Sequence, residues 1–352
     1  TFAETQDSYT PGMTVLPLLD ACPKRMEYGP CGGVGFDGSC EIDASHSCAF
    51  LPRGTVPWTG IDRATPVDPG PRTAAAAETL ASLGTRPWVV ADLPARALSV
   101  ASIDSCAAVL AGEVDAVLAG DAGTARVQFP PAYRAHLLQR AGLRVWTGIN
   151  MRDRNRVAIE GELAALAVEG VAGVHCVTGD HTRTGDRPDA APVFDLDSTE
   201  AAALARAAGH VVSVAASPAA PPVDRRAARL REKLHAGADV CFVNHAGGAE
   251  PVRRFIDAVA APVSYIPCVP VVVDHASADV LESFTTLVLP DGFLERVRSA
   301  RDPRAEGIAL AVALAEELLA LPGVVGVNLS GGRDGGEESF AEAQAEIARR
   351  LR

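Results

Sequence analysis

Between residues 88 and 330, eight short β-rich runs, each apolar on both faces, alternate with stretches of helical period; this alternation restricts the fold more than any other feature. The runs are WVVADL (88–93), VDAVLAG (114–120), RVWTGIN (144–150), GVHCVTG (173–179), VVSVAAS (211–217), DVCFVNH (239–245), PVSYIPCV (262–269) and GVVGVNLS (323–330). Between them lie segments such as RNRVAIEGELAALAVEG (154–170) and AEGIALAVALAEELLAL (305–321), whose apolar residues recur at helical spacing. A strand without a polar face must be covered on both sides, so the helices connect parallel strands. Eight such units in about 265 residues match the usual size of a (β/α)8 TIM barrel, about 250 residues, better than an open sheet. A doubly wound sheet is disfavoured because no GxGxxG follows the first run.

The barrel occupies 88–352. The preceding stretch, 51–87, is dense in Pro and Gly and reads as a linker with one Ala-rich helical piece at about 72–83. Residues 1–50 hold Cys22, Cys31, Cys40 and Cys48, half of the chain's eight cysteines. The first twenty residues lack a basic region followed by a small-residue cleavage site, so a reducing cytoplasm is expected. In that compartment clustered thiols suggest metal rather than disulfides. Four thiolates complete the shell of Zn²⁺ and equally of a [4Fe–4S] cluster, and the spacing of eight, eight and seven residues decides for neither. A filled four-cysteine site has no open position and suits a structural or relay role. His46 reads as a surface residue.

Charge removes several function classes. The net charge of −12 makes nucleic acid a poor partner, and no stretch approaches the roughly 18 uninterrupted apolar residues of a membrane span. Among 32 basic residues only Lys24 and Lys233 are lysines, which leaves little room for amine chemistry, and no Walker-type loop is present. Self-association or a partner subunit stays open.

In a TIM barrel the chemistry sits at the C-terminal ends of the strands. That rule selects Asp92, Asp121, Asn150, Asp180, Asn244 and His245, each of which could instead cap the next helix. GINMRDRNR (148–156) and VTGDHTRTGDRP followed by VFDLDS (177–198) are the densest polar stretches.

Three stretches taken together, NMRDRN, VTGD with VFDLDS, and LHAGADVCFVN (234–244), resemble in order and spacing the 5,10-methylenetetrahydrofolate reductase family. APVSYIPCVPVV, LPDGFLERV and GVVGVNLS extend the likeness to about residue 350. CPKRMEYGPCGG and DGSCE resemble a separate module, the methylenetetrahydrofolate reductase C-terminal domain, over about residues 12–50. The resemblance implies a TIM barrel that binds FAD or FMN and passes hydride from NAD(P)H to methylenetetrahydrofolate, with tetrahydrofolate chemistry at Asp180 and, after a one-residue shift, Asp92. It places Asn244, Asn150, His245, Arg152 and Arg183 on the folate. Thr178, Gly179, Asp180 and Lys233 fall on the cofactor, and Arg152, Arg154 and Arg183 are the arginines able to hold an anionic tail.

The sequence also departs from that pattern. The acid of the first strand's ExxPP becomes Ala91 or Asp92, the second strand's threonine becomes Ala119, and a histidine becomes Gly148. After the fifth strand the flavin-holding residues become Ser217, Pro218, Ala219 and Pro221, and phenylalanines give way to His245, Ala246, Gly247 and Gly248. Each lost polar contact is worth about 1–3 kcal/mol, so flavin is gripped less. The expectation is therefore a folate-dependent oxidoreductase with an altered flavin site. Flavin-independent methyl transfer from or to tetrahydrofolate, or a non-catalytic or electron-relay subunit, is the alternative.

Overall fold

A computed structural model describes residues 21–352 except 53, 61–68, 122 and 333–334. The first twenty residues, and 61–68 of the expected linker, thus lie outside the described residues. Eight parallel strands, β1 (Trp88–Asp92), β2 (Ala116–Ala119), β3 (Val145–Asn150), β4 (Gly173–Val177), β5 (Val212–Ala216), β6 (Val240–Val243), β7 (Ser264–Pro270) and β8 (Gly326–Ser330), close into a barrel in chain order. Closure is made by β8 pairing with β1, Val90 opposite Asn328. The TIM barrel expected from the alternation is the observed fold.

Helices cover the outside, and their ends follow local capping chemistry. The helix α1 (Ala74–Ser82) lies within the Pro/Gly-rich stretch and starts at Thr73, whose hydroxyl accepts from Ala76 N. After β1 comes α2 (Val100–Leu110), then α3 (Pro131–Arg140) after β2 and α4 (Arg156–Glu169) after β3. Asn155 caps α4, and Gly170, at φ +69°, ends it in the left-handed conformation that glycine adopts at no steric cost. The helix α5 (Ser198–Ala207) opens with a reciprocal capping box between Asp197 and Glu200. It is followed by α6 (Arg226–His235), α7 (Ala249–Val259), α8 (His275–Glu282), α9 (Phe293–Ser299), α10 (Pro303–Leu319) and α11 (Glu337–Arg350). No helix among the described residues is long and apolar enough to cross a membrane.

The barrel interior is filled unequally along its axis. Towards the N-terminal end Trp88 meets Trp146 edge to face with centroids 6.2 Å apart, and Trp146 meets Phe242 at 5.4 Å. The indole Nε1 of Trp146 donates to Ser213 Oγ at 2.8 Å, so the buried N–H is satisfied. His175 shares that hydroxyl, Nδ1 to Oγ 2.9 Å, and burial pushes its pKa down to about 3, so its ring is neutral. Below this layer Ala76 and Leu80 of α1 close the bottom against Trp88, Trp146 and Val240. Arg72, just ahead of α1, grips Asp239 with both terminal nitrogens, at 2.8 and 2.5 Å. Towards the C-terminal end the same inward positions carry Gly148, Ala215 and Cys268, because side chains two apart on a strand share a face. Large rings below and small side chains above leave a cup at the C-terminal mouth.

The cysteine segment sits on that mouth. Short antiparallel bridges, Val34 to Cys40 and Ser39 to Ser47, give it a turn-rich frame around buried Met26 and Phe50. Its backbone is held by barrel side chains: Asp197 Oδ2 accepts from Tyr28 N at 3.3 Å, and Arg226 Nη1 donates to Cys31 O at 2.8 Å. Thr286 Oγ1 donates to Gly32 O at 2.9 Å.

The interior packing makes an opposed pair of expectations. A Cβ on Gly173 would lie 2.5 Å from the Trp146 ring, whereas one on Gly161, in the exposed interior of α4, meets nothing within 4 Å. Gly173→Ala should lose about 1–3 kcal/mol through overpacking, and Gly161→Ala should gain about 0.5–1 kcal/mol. Urea midpoints measure both, and equal shifts of one sign would refute the packing account.

Candidate functional site at the barrel mouth

The residues that end the strands were selected by position alone, and the structure sorts them by neighbour. Asp92 ends β1 half-buried on the inner face. Burial raises its carboxyl above the usual range, while hydrogen bonds from Asn328, Ser330 and the Gly331 N–H pull the other way. Asn328 Nδ2 donates to Asp92 Oδ1 at 2.9 Å and reaches Cys268 Sγ at 3.6 Å. The Cys268 thiol, pushed up to about 12 by burial and by the Asp92 charge, is neutral. Neither Asn328 nor Ser330 was singled out from the sequence. Both stand two apart on an otherwise apolar strand, GVNLS, and that period-2 pair of polar residues was the available signal.

On the next strands the polar groups are tied to one another. Asn150 Nδ2 donates to both oxygens of Asp121, at 3.1 and 3.3 Å, and its Oδ1 accepts from Arg152 N at 3.1 Å. The guanidinium of Arg152, fully buried, bonds Asp121 at 3.0 Å and Asp153 at 2.7 Å. Two carboxylates already occupy it, so it is not a free anchor for an anionic tail. Gly179 (φ +86°) keeps its turn because a Cβ there would lie 2.8 Å from the Cβ of Asn150. Thr178 Oγ1 accepts from Ser198 N at 3.2 Å and so holds the start of α5.

Asp180 lies exposed after β4, and its charge acts on Lys24 of the cysteine segment. Lys24 is buried and ion-paired with Glu41. Burial opposes its charge, but Cys31, Glu41 and Asp180 outweigh this and hold the amine above its ordinary value. Arg183 is exposed on a short 3-10 turn, Thr182–Thr184. Asn244, also exposed, donates to Ser217 Oγ at 2.8 Å. His245 points away from the mouth, into a pocket lined by Gly247, Val252, Val288, Leu314 and Leu318. Burial lowers its pKa to about 4 and its Nε2 has no partner among the described residues. Lys233 lies under the wall, Nζ donating to Ala215 O at 2.8 Å. The structure therefore brings Asp92, Asp121, Asn150 and Arg152 to the mouth, with Asp180 and Asn244 on its rim, and sets His245 and Lys233 outside it.

The four clustered cysteines are all unpaired. Cys22, Cys31 and Cys48 pack on Met26 and Phe50, and Cys22 lies within electrostatic reach of the other three. Burial raises the Cys22 and Cys48 thiols, and pushes Cys31 up to about 12. Among the described residues no three of His, Cys, Asp and Glu stand close enough to hold an ion. His46 is exposed and paired with Asp43 at 2.8 Å, a surface residue as expected.

Comparison with known proteins gives three findings. Residues 12–53 match the family model described as methylene-tetrahydrofolate reductase C terminal. No curated protein matches the sequence. Among solved structures, a 2,3-dimethylmalate lyase of the PEP mutase/isocitrate lyase superfamily is 15% identical with a TM-score of 0.46, covering 73% of this chain and 79% of that one. An oxaloacetate acetylhydrolase is 12% identical with a TM-score of 0.45, covering 74% and 80%. A putative lyase/mutase from Burkholderia cenocepacia is 16% identical with a TM-score of 0.44, covering 77% and 84%. These likenesses are of fold alone.

The expected folate-dependent oxidoreductase is corrected by them, since the similar structures are PEP mutase/isocitrate lyase superfamily barrels and not folate oxidoreductases. The recognised family likeness holds for residues 12–53 and is not extended to the barrel. The site agrees with the correction: beyond β5, where the resemblance put flavin-holding residues, Gly32 of the cysteine segment lies so close that a Cβ on it would be 2.8 Å from Ser217 Oγ.

Lys233 supplies a pH signature. Burial, with the like charges of Arg229 and Arg226, lowers it to about 7. An unfolded lysine keeps its proton to about 10.4, so between about pH 7 and 10.4 the unfolded chain binds the extra proton and stability rises with pH. Below pH 7 the full cost of charging the buried amine is present. Lys233→Met should stabilise the fold most below pH 7 and lose its advantage towards pH 10, read as the difference in thermal midpoint from the parent chain. A difference constant across that range would place the amine in solvent.

Proposed function

We propose that this chain is an enzyme that performs general acid–base chemistry on a small polar molecule in the cup at the C-terminal mouth. The observation that carries the reading is the Asp92 carboxyl, raised by burial at the edge of a cup walled by small side chains and steadied by Asn328 and Ser330. A carboxyl that burial raises above its ordinary value exchanges a proton more readily than a solvated one. Asp121 has a different environment, fixed between Asn150 and the buried Arg152 beside the site. Two carboxyls in contrasting surroundings divide the roles: Asp92 exchanges the proton, and Asp121 orients or balances developing positive charge. Asn244 and Asp180 on the rim offer hydrogen bonds to the polar ends of the molecule. Substrate is confined on the β5 and β6 side by the docked cysteine segment.

The test is a depletion assay. Purified protein is incubated with an extract of polar metabolites, and mass spectrometry identifies compounds consumed by the parent chain. Asp92→Asn should reduce that consumption at least a hundredfold, the usual scale for removing a general acid or base. No consumption by the parent chain, or equal consumption by Asp92→Asn, refutes the reading.

We also propose that Cys22, Cys31, Cys40 and Cys48 hold a thiolate-bound Zn²⁺ or a [4Fe–4S] cluster. The donor chemistry fits, since four free thiols lie in one small segment against apolar Met26 and Phe50, but no three of them stand close enough together as placed, so the segment would have to draw them in around either group. Such a group would supply structural closure of the segment. Protein purified without oxygen should contain about one zinc or four irons per chain. Cys40→Ser should lower that content and speed proteolysis within 21–52 while the barrel stays intact. Neither metal at stoichiometric level would refute the assignment.

A further inference from the structure

The pairing of β1 with its two neighbours ends unevenly at the mouth. On the β2 side it runs to Asp92, opposite Leu118, whereas on the β8 side it stops at Ala91, opposite Leu329. Asp92 therefore has no register partner on β8, yet Asn328 and Ser330, the side chains that hold its carboxyl, both stand on β8. Whether the carboxyl meets them depends on how firmly the two strand ends are kept together past the last ladder pair.

A side chain from outside the barrel supplies that hold. Gln344, fully buried on α11, reaches the seam, its Nε2 donating to Asp92 O at 2.9 Å and to Leu329 O at 3.2 Å. One amide nitrogen carries two hydrogens, so it can take a carbonyl from each strand and add a rung where the ladder stops. Its Oε1 is buried with no hydrogen-bond partner among the described residues, and an unsatisfied buried acceptor is costly. The rest of the buried face of α11 is mainly alanine, with Phe340 and Ile347. A methionine would fill the same space without an orphaned oxygen, so what the amide adds is its two donors. We propose that Gln344 is a positioning residue for the acid–base site: by stapling β1 to β8 at Asp92 it holds that residue's carboxyl against Asn328 and Ser330. Its effect on turnover rests on the proposed role of Asp92; its effect on the carboxyl does not.

The test follows the Asp92 carboxyl by ¹³C NMR in the full chain labelled at its aspartate carboxyls, with Asp92→Asn assigning the signal. Gln344→Met removes both donors and nearly keeps the volume. The carboxyl then loses hydrogen bonds that favour its charged form while staying buried, so its titration midpoint should rise above the parent's by about half a unit or more. An unchanged or lowered midpoint overturns the proposal, because a side chain that only packs on the helix face would not reach the carboxyl. In the depletion assay Gln344→Met should slow consumption by about tenfold to a hundredfold, the scale of a misplaced reacting group, and turnover at the parent rate overturns the positioning role. A parent chain that consumes nothing sinks the role of Asp92, and the NMR midpoint then decides on the staple alone. Should Gln344→Met fail to fold, the parent decides: the Gln344 side-chain amide hydrogens should exchange with solvent about a hundredfold more slowly than those of an exposed glutamine, and exchange at the exposed rate overturns the proposal.

Discussion

The filling of the closed barrel is the constraint on which the rest of the molecule depends. Eight strands in a ring send half of their side chains inward, and that space must be packed or left as a site. Here two tryptophans and a phenylalanine take the N-terminal half, with Gly173 making room for the Trp146 indole and Gly326 letting β8 approach the Trp88 backbone. Small residues take the C-terminal half, and polar groups at the strand ends face one another across the resulting cup. The site is thus a consequence of where bulk was spent in the interior.

A second regularity is the use of arginine. With two lysines in the whole chain, the buried cations are nearly all guanidiniums, and they act as clamps on backbone carbonyls. Arg226 ties Cys31 O to Ala220 O, and Arg134 ties the ends of β2. The planar fork with five donors suits this task, where an ammonium would satisfy fewer acceptors in fixed directions. Arg229 joins Asp197 and Thr199 beneath the segment that docks on the mouth. Docking therefore rests on buried, directed hydrogen bonds as much as on apolar contact.

The stretches that suggested a family in the barrel carry local structural duties in this chain. In NMRDRN, Asn155 caps α4, while Asn150 and Arg152 hold Asp121. In VFDLDS, Asp195 accepts from the first N–H of α4, Arg156, and Asp197 opens α5 with its capping box. In LHAGADVCFVN, Asp239 accepts from Arg72 and Val212 N. Caps, turns and strand-end clamps are demands of the fold, so motifs built from them recur wherever the geometry does and say little about substrate. Resemblance in these residues accordingly pointed to the right architecture and to the wrong reaction.

Sequence alone determined the barrel, because double-sided apolar runs alternating with helical period leave few ways to cover a strand. It also determined which residues end the strands, and Asp92, Asn150 and Asn244 were placed at the mouth on that ground. Tertiary structure alone decided how these residues meet. Asp92 gains its character from Asn328, 236 positions away in the chain, and the cysteine segment is fastened by residues nearly 200 positions distant. Arg134 became visible as a clamp on the end of β2 only because the fold brings the two together. Periodicity and spacing report on neighbours along the chain, whereas burial, charge balance and shape are set by neighbours in space.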